Sequence, residues 1–231
     1  MMPAMRADRL PAVLFDLDGT LIDSIELILN SARFAFEGRT FGVPSDAEWL
    51  SGVGMPLVDM FRRYARDSAD VEALLARYRE YQMPNHDRLV RAYDGVVETV
   101  LGLRAARHPL AVVTSKTEAL AQRGIDLVGI GSCFDVVIGC DTTTRHKPHP
   151  EPVLVALQRL GREPGEAVFI GDSVHDMAAG NAAGVATIAA LWGPFSREIL
   201  APSAPRHYLD KITDLPALLR LPNTGKTGTS A

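Results

Sequence analysis

Cysteine is scarce in this chain. Its 231 residues contain two, Cys133 and Cys140, and no Cys-x-x-Cys pair. That excludes a disulfide-built scaffold and reads as two reduced, structural thiols in a cytosolic setting. No window approaches the roughly 20 uninterrupted apolar residues of a membrane helix, which excludes a membrane-spanning reading. The opening residues, Met1-Met2-Pro3-Ala4-Met5-Arg6, lack the apolar stretch of a secretion signal. No long basic run accompanies the net charge of −4, so nucleic acid is not expected as a partner. The six histidines are scattered without zinc spacing, and His175 reads as solvent-facing. No internal repeat is found. What remains is a cytoplasmic chain, 47% apolar, long enough for one large domain or a domain with a small insertion.

The most informative segment is Phe15-Asp16-Leu17-Asp18-Gly19-Thr20, directly after the apolar run Ala12-Val13-Leu14-Phe15. The run reads as a buried parallel strand. Gly19 allows the chain to turn away. The two aspartates therefore sit at the carboxyl end of a strand, where open α/β sheets place their ligands. Two like charges about 4 Å apart repel by on the order of 4 kcal/mol at an effective dielectric near 20. A cation or a shared proton must offset that, and both suit phosphoryl transfer. Taken alone, the hexapeptide also fits a strand-ending Asp-Gly turn.

Later segments repeat the design. Leu110-Ala111-Val112-Val113 ends at Thr114-Ser115-Lys116, and Ala167-Val168-Phe169-Ile170-Gly171 ends at Asp172-Ser173 and continues to Asp176. Between them, Lys147 lies in Arg145-His146-Lys147-Pro148-His149-Pro150, before an expected helix. From residue 94 onward, helix and strand alternate: helices near 96–106, 117–127, 150–160 and 174–183, strands near 110–114, 134–139, 167–171 and 185–190. A short strand near 208–209 and a helix over 215–219 follow. The pattern predicts an α/β, Rossmann-like parallel sheet with helices on both faces. Residues 21–93 show no good strand. Helical spacing over 24–36, 57–65 and 71–81 predicts an inserted all-helical cap. The expected division is a core of residues 1–20 and 94–223, a cap of 21–93, and a disordered polar tail of 224–231.

An acidic pair, a hydroxyl, a lysine and a second acidic pair, in that order, resemble the haloacid dehalogenase-like hydrolases. More narrowly, the chain is similar to the branch with a helical cap after the first motif, which holds phosphoglycolate phosphatases and related pyrophosphatases. The resemblance implies Asp16 as nucleophile, forming an aspartyl-phosphate, and Asp18 as general acid–base. It implies Thr114 as the hydroxyl that binds a phosphoryl oxygen; capping of the next helix is a compatible second role. Lys147 becomes the fixed positive charge. Asp16, the Asp18 carbonyl and Asp172 become ligands of Mg²⁺, with Asp176 acting through water or as a helix cap. Asp18 speaks against the dehalogenase branch, which lacks a second aspartate there.

Substrate choice is thinner. Gly52 to Leu57, with Gly54, looks like the cap loop that faces the catalytic turn. Ser115 and Lys116 are candidates to touch substrate, although Lys116 equally fits an exposed loop. Arg62 and Arg63 fit either a binding site for a second anionic group or a solvated helix face. Hinges are expected near Leu21 and near Tyr93-Asp94-Gly95. The implied partner is a small phosphorylated metabolite. The leading reading is a phosphoglycolate phosphatase-like monoester hydrolase. A pyrophosphatase, a phosphosugar mutase and a binding protein with a relict site remain beside it. Oligomeric state is not legible.

Overall fold

The computed structural model describes residues 10–220. Expectations for the tail at 224–231 lie outside them. The core is a six-stranded parallel sheet in the order β5-β4-β1-β6-β7-β8. The strands are β1 (Ala12–Phe15), β4 (Leu110–Val113), β5 (Val136–Ile138), β6 (Ala167–Gly171), β7 (Ala186–Ala190) and β8 (His207–Leu209). β1 is central, paired with β4 on one side and β6 on the other. The chain builds outward from it in both directions, which makes the carboxyl end of β1 a switch point of the sheet.

Period-two alternation explains how the strands bury both faces. Val13, Phe15, Leu110, Val112 and Ile170 point to one side, packing with α5 (Val96–Ala105) and α6 (Glu118–Leu127). Ala12, Leu14, Ala111, Val113 and Phe169 point to the other, packing with α7 (Glu151–Leu160) and α8 (Val174–Ala182). Each strand reads as a continuous apolar run because both faces are covered.

The cap is inserted between β1 and α5. It holds α1 (Ile25–Phe36), α2 (Asp46–Leu50), α3 (Leu57–Arg62) and α4 (Ser68–Leu89). Its own apolar cluster is rich in aromatics, with Trp49, Phe36, Phe61 and Tyr78 buried. The structure departs from expectation in three places. First, a two-residue antiparallel ribbon, β2 (Ile22–Asp23) with β3 (Arg91–Ala92), ties the cap's two ends together. Two-residue strands carry no periodicity, so no sequence pattern marks them. Second, α2 is one short turn-and-a-half held by a Ser45–Glu48 capping box, too short for a periodic signal. Third, α4 runs past Tyr81 and through Pro84 to Leu89. Val71, Leu74, Tyr78, Gln82, His86 and Leu89 bury one stripe along its whole length, so packing overrides the proline.

Candidate active site

The first aspartates emerge where β1 ends. Asp16 is buried and its amide donates to the Ile170 carbonyl at 2.8 Å, locking the turn to the neighbouring strand. Gly19 sits at φ +83°, and a Cβ there would lie 2.3 Å from the Asp172 carboxylate. Only glycine lets this turn approach β6 so closely.

Lys147 is the hub. It is 3% exposed, and its Nζ donates to Asp16 Oδ1 and Asp176 Oδ1, both at 2.6 Å, and to the Val113 carbonyl at 3.2 Å. Burial opposes its charge, but Asp16 and Asp176 outweigh burial and push its pKa up. The Asp16 carboxyl is raised to about 7 by burial first and by Asp176 next, against the pull of Lys147. Asp176 is itself held in place at the start of α8. It joins Ser173 in a capping box, and its second oxygen accepts from the Ser173 amide at 3.0 Å and hydroxyl at 2.6 Å. Both Asp176 oxygens are therefore engaged, one by lysine and one by the cap.

Asp172 is fully buried. Its Oδ1 accepts from the Thr20 hydroxyl at 2.9 Å, while Oδ2 has no hydrogen-bond partner. Burial, then Asp16 and Asp176, raise its pKa well above the usual carboxylate range. Ligand oxygens of Asp16, Asp172 and Asp176 lie within 4.8 Å of one another. An orphaned buried carboxylate oxygen beside a second carboxylate is costly unless a cation takes it up. The donor set is all hard oxygen, which suits a hard divalent ion.

The remaining candidates line one cleft. Asp16, Asp18, Gly54, Thr114, Ser115 and Lys116 all face it. Asp18 accepts from the Lys116 ammonium and the Ser24 hydroxyl. Lys116 is thus no exposed loop lysine: it reaches back across the turn to the second aspartate. Thr114 is 4% exposed and accepts from the Lys116 amide at 3.2 Å. The cap of α6 is Thr117 rather than Thr114, which leaves the Thr114 hydroxyl to the cleft. Ser115 donates to the Gly54 carbonyl, joining core to cap loop. Gly54 has φ +101°, and a Cβ there would meet Ser173 Oγ at 2.7 Å and His175 at 3.2 Å. His175 is therefore not solvent-facing. It is half-buried under the cap loop, and burial lowers its pKa.

Arg62 and Arg63 fall on the solvated face. Arg62 pairs with Asp59 at 2.6 Å and Arg63 lies exposed over the Tyr64 ring. Neither lines the cleft. Arg79 and Gln82 of α4 line it instead. The sequence does not single them out, since Arg79 is one of three arginines on α4, with Arg77 and Arg88. Both cysteines are free, and Cys140 also lines the cleft.

Comparisons with known proteins agree with this architecture. The family model described as haloacid dehalogenase-like hydrolase matches residues 13–190. The chain is 37% identical over 211 residues to the pyrophosphatase PpaX of Bacillus velezensis, covering 91% of this chain and 97% of that one. Among solved structures, a predicted phosphoglycolate phosphatase from Haemophilus somnus superposes with a TM-score of 0.83 at 25% identity, covering 90% and 97%. A haloacid dehalogenase-like family hydrolase from Streptococcus pneumoniae gives 0.78 at 27%, covering 91% and 99%. With its sheet, its helical cap and its match over most of the core, the chain belongs to the haloacid dehalogenase-like hydrolases, as a phosphatase.

Proposed function

We propose that the protein is a cytoplasmic, Mg²⁺-dependent phosphatase that hydrolyses a small phosphate monoester through an aspartyl-phosphate on Asp16, in the manner of phosphoglycolate phosphatases. One observation carries the reading. A buried lysine grips the first aspartate while a neighbouring aspartate keeps an unpartnered, buried oxygen. That arrangement has a place for a phosphoryl group and for a cation, and little other use.

In this reading residues 1–20 and 94–223 form the catalytic core, and residues 21–93 form the cap over it. Asp16 attacks phosphorus, and the bond from phosphorus to the leaving oxygen breaks as Asp18 gives that oxygen a proton. Water then attacks the acyl phosphate and passes a proton to Asp18. Inorganic phosphate departs, and Asp16 is restored. Thr114 donates its hydroxyl to a phosphoryl oxygen. Lys147 orients Asp16 and offsets phosphoryl charge, and Asp176 holds Lys147 in place. Asp16, the Asp18 carbonyl and Asp172 would hold Mg²⁺, which supplies further neutralisation of the phosphoryl group. Gly54, Ser115 and Lys116 bound the space for the rest of the substrate.

A second reading is a pyrophosphatase, favoured by the 37% identity to PpaX. Phosphate release from a panel of 2-phosphoglycolate, pyrophosphate, phosphosugars and p-nitrophenyl phosphate separates the two. The panel is run with Mg²⁺, with EDTA and with Asp16→Asn. Release that needs Mg²⁺ and falls at least ~10⁴-fold in Asp16→Asn is the expected outcome, given the size of nucleophile losses in covalent catalysis. No release from any ester sinks the hydrolase reading.

A further inference from the structure

The cleft's far wall has a chemistry of its own. On the cap side it is built mainly of apolar side chains, among them Ile28, Val53, Met55 and Leu75. Two polar residues interrupt it, Arg79 and Gln82, three apart on α4 and so on one face of the helix. Gln82 is 4% exposed and lines the cleft. A primary amide on the cleft wall offers both a donor and an acceptor to whatever enters it. Arg79 is exposed at the cleft and makes no salt bridge or hydrogen bond among the described residues, whereas Arg39 and Arg77, elsewhere on the cap, are paired to Asp70 and to the Phe34 carbonyl. It shares the cleft with Asp16, Asp18 and Thr114 of the core. Burial raises the Cys140 thiol's pKa on that side, and Arg79 pulls against it.

We infer that Arg79 and Gln82 form a subsite for the leaving group, and that the substrate is an organic phosphate whose leaving group carries both carbon and a second anionic group. This rests on the phosphatase reading and narrows it. The guanidinium fork takes a carboxylate or a phosphate. The Gln82 amide supplies a further hydrogen bond to it. The apolar wall takes the carbon between the two anionic ends and disfavours a leaving group that is bare, fully hydrated phosphate. Inorganic pyrophosphate, whose leaving group has no carbon, is then the poorer substrate.

The test measures kcat/KM with Mg²⁺ for 2-phosphoglycolate, for a sugar bisphosphate, for pyrophosphate and for the uncharged-tail ester p-nitrophenyl phosphate. Wild type is compared with Arg79→Met, Arg79→Lys and Gln82→Leu. The expected result is a fall of at least ~10-fold in the ratio of anionic-tail to p-nitrophenyl ester turnover in Arg79→Met. Arg79→Lys should restore part of it, and Gln82→Leu should show a smaller fall. Whether carboxylate or phosphate tails suffer more tells which the subsite takes. Equal losses on every ester, or no change in the ratio, overturn the subsite. Wild-type preference for pyrophosphate over every carbon ester overturns the carbon requirement.

Calorimetric binding of 2-phosphoglycolate and of the bisphosphate to Asp16→Asn, with and without Arg79→Met, needs no turnover. At least ~10-fold weaker binding of one of them through Arg79 supports the subsite even if hydrolysis fails on all esters, in which case only the reaction reading falls. Binding of both unchanged by Arg79→Met counts against it.

Discussion

The cap and the core treat charge in opposite ways. In the core, Asp16, Lys147, Asp172 and Asp176 are buried together, and one ammonium joins Asp16 to Asp176. In the cap, charged pairs such as Arg33–Asp46 and Arg62–Asp59 stay at the surface, while the interior is a ring cluster. Trp49 lies 4.9 Å from Phe61 and 5.6 Å from Phe36, centroid to centroid. A parallel sheet can bury charge because its strand ends and helix starts offer backbone and capping groups to hold it. A small helical bundle has no such frame. It holds its shape by aromatic packing and presents mostly apolar surface to the cleft. One region supplies chemistry and the other supplies shape.

Removing the core's cation should break that contrast most severely. Lys147→Met leaves buried carboxylates without their ammonium, at a cost of about 3–5 kcal/mol. Urea unfolding in EDTA should show that loss, and phosphate release should fall by at least ~10²-fold. A variant as stable as wild type would mean the carboxylates are not charged in the folded protein.

Breaking the cap comes next. Trp49→Ala should cost about 3–4 kcal/mol from lost burial and the cavity left behind. Hydrogen exchange should rise in α1 to α4 and stay slow in β1, β4 and β6. A rise of equal size in the sheet would show the two regions unfold as one.

The smallest effect lies at the cap's rim. Arg39 grips Asp70 with bonds of 2.7 and 2.8 Å, and the Arg66 amide adds a third at 2.9 Å. The Arg39 bond, then the Arg66 amide, lower the Asp70 carboxyl to about 2. A carboxylate held below its ordinary value near 3.9 stabilises the fold above that value and loses the benefit as pH falls toward 2. Asp70→Asn should therefore lower Tm slightly at pH 6 and leave it unchanged near pH 2. The pair is exposed enough that the difference should be small. A gap between the two proteins that stays constant with pH would assign the effect to packing instead.

Much was legible in the chain. β1, β4 and β6 announce themselves as apolar runs that end in polar residues, and both faces of the sheet are covered as those runs require. Asp16, Thr114 and Asp172 could be placed at strand ends from the apolar runs before them, because strand ends are local features and a parallel sheet aligns them. Arg79 and Gln82 were not legible. Nothing in a helix with three arginines says which one lines a cleft, and the choice depends on how α4 docks over the core. The same holds for Lys116, whose reach to Asp18 is a matter of two loops meeting.

The sequence by itself determined the strands, the carboxylates at their ends and the insertion of a helical cap, because each is written in periodicity within a few residues. Tertiary structure alone decided three things: that Asp176 gives one oxygen to Lys147, that Asp172 keeps one oxygen without a partner, and that Arg79 and Gln82 line the cleft. These depend on contacts between residues far apart in the chain, where burial and charge are set by neighbours that no local pattern names.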